Sequence, residues 1–168
     1  MSKYETAPYK VIESEGRFEI RQYEAYYTAA VEDTKLDGSN GFNQIFDYIS
    51  GNNADQKKIS MTTPVFNELG KDKTSTEFVI PTTFDQTTLP KPANPKVNIK
   101  RVESRVAAVM TFSGSVNEQK IKIYETELME WIRQKNLQPS GNFRLARYNP
   151  PFMPPFLRRN EIMIDVIK

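Results

Sequence analysis

Two distant segments of this chain repeat one another, and that repeat restricts the fold more than any other feature. IRQYEAYYTAAV (20–31) parallels IKRVESRVAAV (99–109) when one gap is allowed. Both copies are followed by a helical pattern, a strand, a proline kink and a loop. The returning strands then open with glutamate, in TEFVI (76–80) and NEIMI (160–164). Self-similarity on this scale means one supersecondary unit used twice. The expected class is α+β: a duplicated ββαββ unit with two α-helices against an antiparallel sheet that curls toward a barrel. The halves run over about 8–81 and 97–167. Between them, 82–96 carries Pro90, Pro92 and Pro95 and reads as a crossover without regular structure. At 168 residues the chain reads as a single domain, long enough for a real core.

Within each half the elements are legible. YKVI (9–12) and RFEIRQY (17–23) read as strands around Gly16, and AYYTAAV (25–31) as a third. A helix is predicted over 40–50, with Phe42, Ile45, Phe46 and Ile49 at i, i+3, i+4 and i+7. Ser39 or Asn40 suits its cap, and Gly51 the left-handed residue past its end. KISMTTPVF (58–66) reads as a strand bent at Pro64, 67–75 as a hairpin loop, and EFVIP (77–81) as the returning strand. In the second half, strands are predicted at 97–102, 105–112, 143–148 and 161–167. Ser115 and Glu118 stand at capping-box spacing before a helix over 117–135, whose stripe is Ile121, Tyr124, Leu128, Trp131 and Ile132.

Composition excludes more than it suggests. The chain has no histidine, which removes the commonest general base, the commonest metal ligand and every Ser-His or Cys-His arrangement. With no cysteine there is neither a disulfide framework nor thiolate chemistry. Lys+Arg 23 against Asp+Glu 21, with no long basic run, argues against nucleic acid as a partner. No apolar stretch is long enough to span a membrane, and the N-terminus has no apolar signal region, so a cytoplasmic protein is expected.

PYKVIE, FEIRQYEAY, YISGNN…KISMTTPV, LPKPANPKVNI, FSG and RNEIMID together resemble the SOUL haem-binding protein family, from about Pro8 to Asp165. The resemblance implies a distorted antiparallel barrel with two helices, related to bacterial effector-binding domains. It also implies reversible, non-enzymatic binding of haem or another porphyrin, as buffer, carrier or sensor. Some members are thought to ligate iron through a histidine near the first helix, and this chain has none. The mode left is an apolar groove beside the first helix and the late loop. It maps onto Phe42, Ile45, Phe46 and Ile49 of the helix and onto Phe152, Met153, Phe156 and Leu157 of the loop. Arg158 and Arg159, or Lys57 and Lys58, are then positioned to meet the propionates.

Each of these residues also has an ordinary structural explanation. The helix stripe is first of all a core face. The apolar residues of PPFMPPFLRR (150–159) sit among prolines and form either a lid over the core or one wall of a groove. Neighbouring arginines usually flank a solvated turn, and Met61, Met110 and the tyrosines are packing groups before they are iron ligands. By strand alternation Phe78, Ile80, Ile162 and Ile164 face inward, which turns Glu77 and Glu161 outward. Were those carboxylates buried instead, they would support two alternatives: an effector-sensing module for organic cations, or an enzyme acting on a tetrapyrrole.

Overall fold

The computed structural model describes residues 4–33, 39–70, 73–149 and 153–167. Its strands are β1 (Glu5–Thr6), β2 (Tyr9–Glu15), β3 (Phe18–Tyr23), β4 (Tyr26–Asp33), β5 (Thr62–Thr63), β6 (Val65–Leu69), β7 (Thr74–Val79), β8 (Asn98–Val102), β9 (Arg105–Phe112), β10 (Gln138–Arg147) and β11 (Asn160–Ile167). Helix α1 spans Ser39–Ile49, α2 spans Glu118–Gln134, and a single 3-10 turn covers Pro155–Leu157. Nine strands form one sheet in the order β2-β3-β9-β11-β10-β6-β7-β4-β8, with every neighbouring pair antiparallel. The edge strands β2 and β8 do not pair with one another, so the sheet is open and the expected barrel does not close. The short β1 pairs in parallel with β5.

Exchanging β3, β4, β6 and β7 for β8, β9, β10 and β11 reverses the order of those eight strands. The registers correct the correspondences read from sequence. Arg21 opposes Ala107 as Lys100 opposes Thr28, so β3–β4 and β8–β9 correspond without a gap. Ala30 opposes Glu77 as Val109 opposes Met163. Under that exchange Glu77 takes the place of Met163, two residues from Glu161.

Both helices cover one face of the sheet. On one half, Ile45, Tyr48 and Ile49 of α1 pack on Ala29, Val31, Phe78, Ile80 and Val97. On the other, Leu128, Trp131 and Ile132 of α2 pack on Ile20, Ala108, Met110, Leu145, Ile162 and Ile164. The opposite face is filled too, by Tyr23, Tyr26, Phe66, Val79, Ala107, Val109, Ala146 and Met163. Tyr23 and Tyr26 stand on strands second and eighth in the sheet, yet their ring centres lie 6.5 Å apart. Only two residues, Glu24 and Ala25, join β3 to β4, so the sheet must curl strongly to carry its second and eighth strands to one place. This curl explains the largest departure from strand alternation. Phe78, Ile80, Ile162 and Ile164 point at the helices as expected. Glu77 and Glu161 do not reach solvent on the far side: they are 2% and 0% exposed, because the sheet folds over its own second face.

Local chemistry accounts for the element ends. Gly51 follows α1 with φ +120°, a conformation glycine adopts without steric cost. Asn117, rather than Ser115, caps α2, its side chain accepting from the Lys120 N–H at 2.9 Å. The KISMTTPVF segment is less regular than its β-rich composition suggests. Residues 54–61 form no strand, β5 ends at the cis Thr63–Pro64 bond, and β6 begins immediately after it. The hairpin after β6 is tighter than the 67–75 expected, since the strands run to Leu69 and resume at Thr74. Strand β10 likewise starts at Gln138, ahead of the expected 143.

Candidate functional site

The first candidate surface is the outer side of α1. Pairing on the sheet uses Ile45, Tyr48 and Ile49, which rotates Phe42 and Phe46 outward, 36% and 52% exposed. Their rings lie 6.2 Å apart at 24°, close to parallel. Ile45 and Ile49, 1% and 4% exposed, are core, so half of the predicted stripe is not available to a ligand in this structure. The helix is held from below by the crossover: the Tyr48 hydroxyl donates to the Pro90 carbonyl at 2.6 Å, and Asn94 Nδ2 to Gln44 Oε1 at 3.0 Å. The turn after it is built on buried Asn53. Its Nδ2 donates to the Tyr48 and Lys57 carbonyls at 3.0 and 2.8 Å, and its Oδ1 accepts from the Lys57 N–H at 3.1 Å. Ile59 N–H closes on the Ile49 carbonyl at 2.8 Å, which sets exposed Lys57 and Lys58 at the C-terminal end of α1.

The second candidate surface is the late loop. Phe152 lies outside the described residues. Met153 is half-buried, while Phe156 and Leu157, on the 3-10 turn, are 76% and 59% exposed. The loop is pinned to the connection between β9 and α2: Gly114 N–H donates to the Pro155 carbonyl at 2.9 Å, and Asn160 Nδ2 to the Gly114 carbonyl at 3.1 Å. Arg158 Nε bonds back to the Met153 carbonyl at 2.8 Å. Among the described hydrogen bonds none joins this loop to α1. Arg159 is committed inward, donating to Glu161 Oε2 at 2.8 Å with its guanidinium 4.0 Å from the centre of the Tyr148 ring.

Beneath that loop the curled face buries an ion pair. Arg21 donates to both oxygens of Glu161 at 2.8 and 2.6 Å, to Glu19 Oε1 at 2.7 Å and to the Tyr23 hydroxyl at 3.0 Å. Its guanidinium lies 4.1 Å from the centre of the Tyr9 ring. The Tyr148 hydroxyl adds a bond to Glu161 Oε1 at 3.0 Å. Burial pushes the Glu161 carboxyl up, but the hydrogen bonds and charge of Arg21, then Arg159, outweigh it and hold the group below its ordinary value. Arg21 loses to burial as well, and Glu161 more than restores it. A carboxylate held ionised and bonded on both oxygens has no capacity left for acid–base work. This pair is a structural anchor.

Glu77 is different. Its Oε1 accepts from Thr28 Oγ1 at 3.3 Å and lies 3.7 Å from Lys100 Nζ, but Oε2 is buried without a hydrogen-bond partner. It lines an open cleft of about 360 Å³ with Lys100, Arg101, Arg105, Arg144 and Asp165. Arg105 and Arg144 carry no signal in the sequence, because their strands alternate like any other. Only the curl brings β7–β8 opposite β9–β11.

A porphyrin would find apolar contact surface here, while several sulfur and phenol groups are buried away from it; Met61 is half-buried. Met110 and Met163 are 0% and 1% exposed in the core. Burial raises the hydroxyl pKa of Tyr23, Tyr26 and Tyr148, and that of Tyr48 to about 12, which disfavours a phenolate. Phe42, Phe46, Phe156 and Leu157 are exposed, as are Lys57 and Lys58.

Residues 4–165 match the family described as SOUL heme-binding protein. The chain belongs to that family. No curated sequence relative matches the SOUL chain at a significant level. Among solved structures it is similar to the EcmrR C-terminal domain, with 11% identity and a TM-score of 0.69 over 95% of this chain and 98% of that one. It is also similar to a hydrolase from Listeria innocua, with 7% identity and a TM-score of 0.65 over 93% and 94% of the two chains. A third similar structure is SAV2435 bound to tetraphenylphosphonium, with 14% identity and a TM-score of 0.51 over 89% and 93%. At such identities these likenesses show the fold alone: mixed α+β with a large antiparallel sheet and two helices. Among the described residues, no helix is long and apolar enough to cross a membrane.

Proposed function

We propose that this SOUL protein binds haem or a related tetrapyrrole reversibly, without histidine ligation and without catalysis, as a buffer, carrier or sensor. One observation carries the reading beyond family membership: among the described residues every exposed phenylalanine, Phe42, Phe46 and Phe156, lies on α1 or the late loop. Exposed aromatics on pinned elements favour contact with a flat apolar ligand, since little ordering is left to do on binding. The α1 pair is the better wall, having two near-parallel rings and two lysines at the helix end. Burial of the macrocycle, stacking and carboxylate contacts do not use the iron. Haemin and metal-free protoporphyrin should therefore bind within about tenfold of each other, under about 1.4 kcal/mol. Titrations followed by absorbance and Trp131 fluorescence test this. Phe42→Ala with Phe46→Ala should weaken both ligands by about 2–4 kcal/mol, roughly thirty-fold or more. An unchanged Kd moves the site to the late loop, where Phe156→Ala is the corresponding variant. A porphyrin product formed over many turnovers would overturn the non-catalytic reading.

A second reading, sensing of organic cations, is favoured by the unpartnered buried Oε2 of Glu77. A buried acceptor without a donor costs free energy that a cationic ligand would recover.

A further inference from the structure

Two side chains that line the cleft at Glu77 each bury a polar atom without a hydrogen-bond partner. Glu77, with a side chain 3% exposed, presents an unpartnered carboxylate oxygen. Arg105, 9% exposed, presents an unpartnered Nη1. The rest of the Arg105 guanidinium is fixed: Nη2 donates to the Tyr26 hydroxyl at 2.9 Å, and the group lies 4.6 and 5.3 Å from the Tyr23 and Tyr26 ring centres. Its Nε is 3.0 Å from Asp165 Oδ1 but off the hydrogen-bond direction. Both groups line the same cleft of about 360 Å³.

Charge decides what fits. The lining carries Lys100, Arg101, Arg105 and Arg144 against Glu77, Glu103 and Asp165. A bare cation would satisfy Glu77 while adding to an already positive wall, and a bare anion would leave the Glu77 oxygen unpaired. We propose that the cleft binds a small zwitterion, a free amino acid, with its ammonium on Glu77 and its carboxylate on Arg105. The chain already holds an ammonium at the first position: Lys100 Nζ sits 3.7 Å from Glu77 Oε1 on a side chain 46% exposed, free to swing aside. The inference rests on reading Glu77 as a ligand-binding carboxylate, and it changes the ligand class from cation to zwitterion. It does not depend on porphyrin binding.

The test compares ligands on the unaltered protein by calorimetry and thermal shift. Glycine, γ-aminobutyrate and 6-aminohexanoate span increasing charge separations, with butylamine and butyrate as single-charge controls. At least one zwitterion is expected to bind tenfold or more tightly than either control, and Glu77→Gln and Arg105→Met should each remove that advantage. Butylamine binding as tightly as the best zwitterion overturns the zwitterion while leaving the cation reading intact. No binding by any of the five overturns both. Because the ligand comparison needs no substitution, a variant that fails to fold does not rescue the proposal.

Discussion

Replacing Glu161 by glutamine keeps the side-chain shape and removes one charge from the most buried ion pair among the described residues. Arg21 and Glu161 are 1% and 0% exposed, and the carboxylate accepts two bonds from Arg21, one from Arg159 and one from Tyr148. Neither partner can reach water in the fold, so Arg21 would retain Glu19 alone as a charged partner. Breaking a buried pair from one side costs about 3–5 kcal/mol, because a charge stays buried without compensation. For a chain of this length that corresponds to about 6–20 °C in Tm. Urea and thermal unfolding followed by circular dichroism and Trp131 fluorescence measure it directly. Two further outcomes follow from the same physics. Arg21→Met with Glu161→Leu should recover most of the loss, since apolar replacement removes both desolvated charges together. The pH dependence has a fixed sign. The folded pKa of Glu161 lies below its unfolded value, so the pair's contribution is present above about pH 4.5 and is lost as pH falls through the folded pKa. The gap between parent and Glu161→Gln should therefore close below pH 4.5. A Glu161→Gln protein within about 1 kcal/mol of the parent at pH 7, or a double variant as unstable as the single, would refute this account of the buried pair.

Asn53→Ala should destabilise the protein by about 2–3 kcal/mol, because three bonds to the Tyr48 and Lys57 backbone are lost in a turn 6% exposed; denaturant unfolding measures it, and Asn53→Asp should recover only the bond from Lys57 N–H. Tyr48 is neutral in the fold with its pKa raised to about 12, so its contribution is complete below pH 10 and is lost between pH 10 and 12. Spectrophotometric titration near 295 nm should show Tyr48 ionising at about 12, above the ordinary tyrosine value of about 10, and Tyr48→Phe should shrink this alkaline loss of stability.

The elements of this SOUL chain and most of its core were legible without coordinates, because periodicity is a local property of a sequence. Ile121, Leu128, Trp131 and Ile132 announce α2 by spacing alone, and Phe78 with Ile80 announces which face of β7 meets a helix. The recurrence of the RQYEA and KRVES segments likewise pointed to two similar runs of strand and helix. Three things were decided only by packing. Helix α1 turned on its axis so that Tyr48 entered the core and Phe42 and Phe46 left it, a choice a seven-residue apolar spacing cannot make when the stripe is wider than the contact. Register, which comes from hydrogen bonds between strands distant in sequence, set Glu77 opposite Ala30 and Glu161 opposite Thr111. The curl mattered most. Strand alternation assigns Glu77 and Glu161 to a solvated face, and it is correct about the direction in which they point. Whether that direction ends in water depends on sheet curvature, which sums over nine strands and is encoded in no single one. By curling until Tyr23 meets Tyr26, the sheet turned its outer face into a second interior, where Arg21 must hold Glu161 and where Glu77 is left with one oxygen unbound.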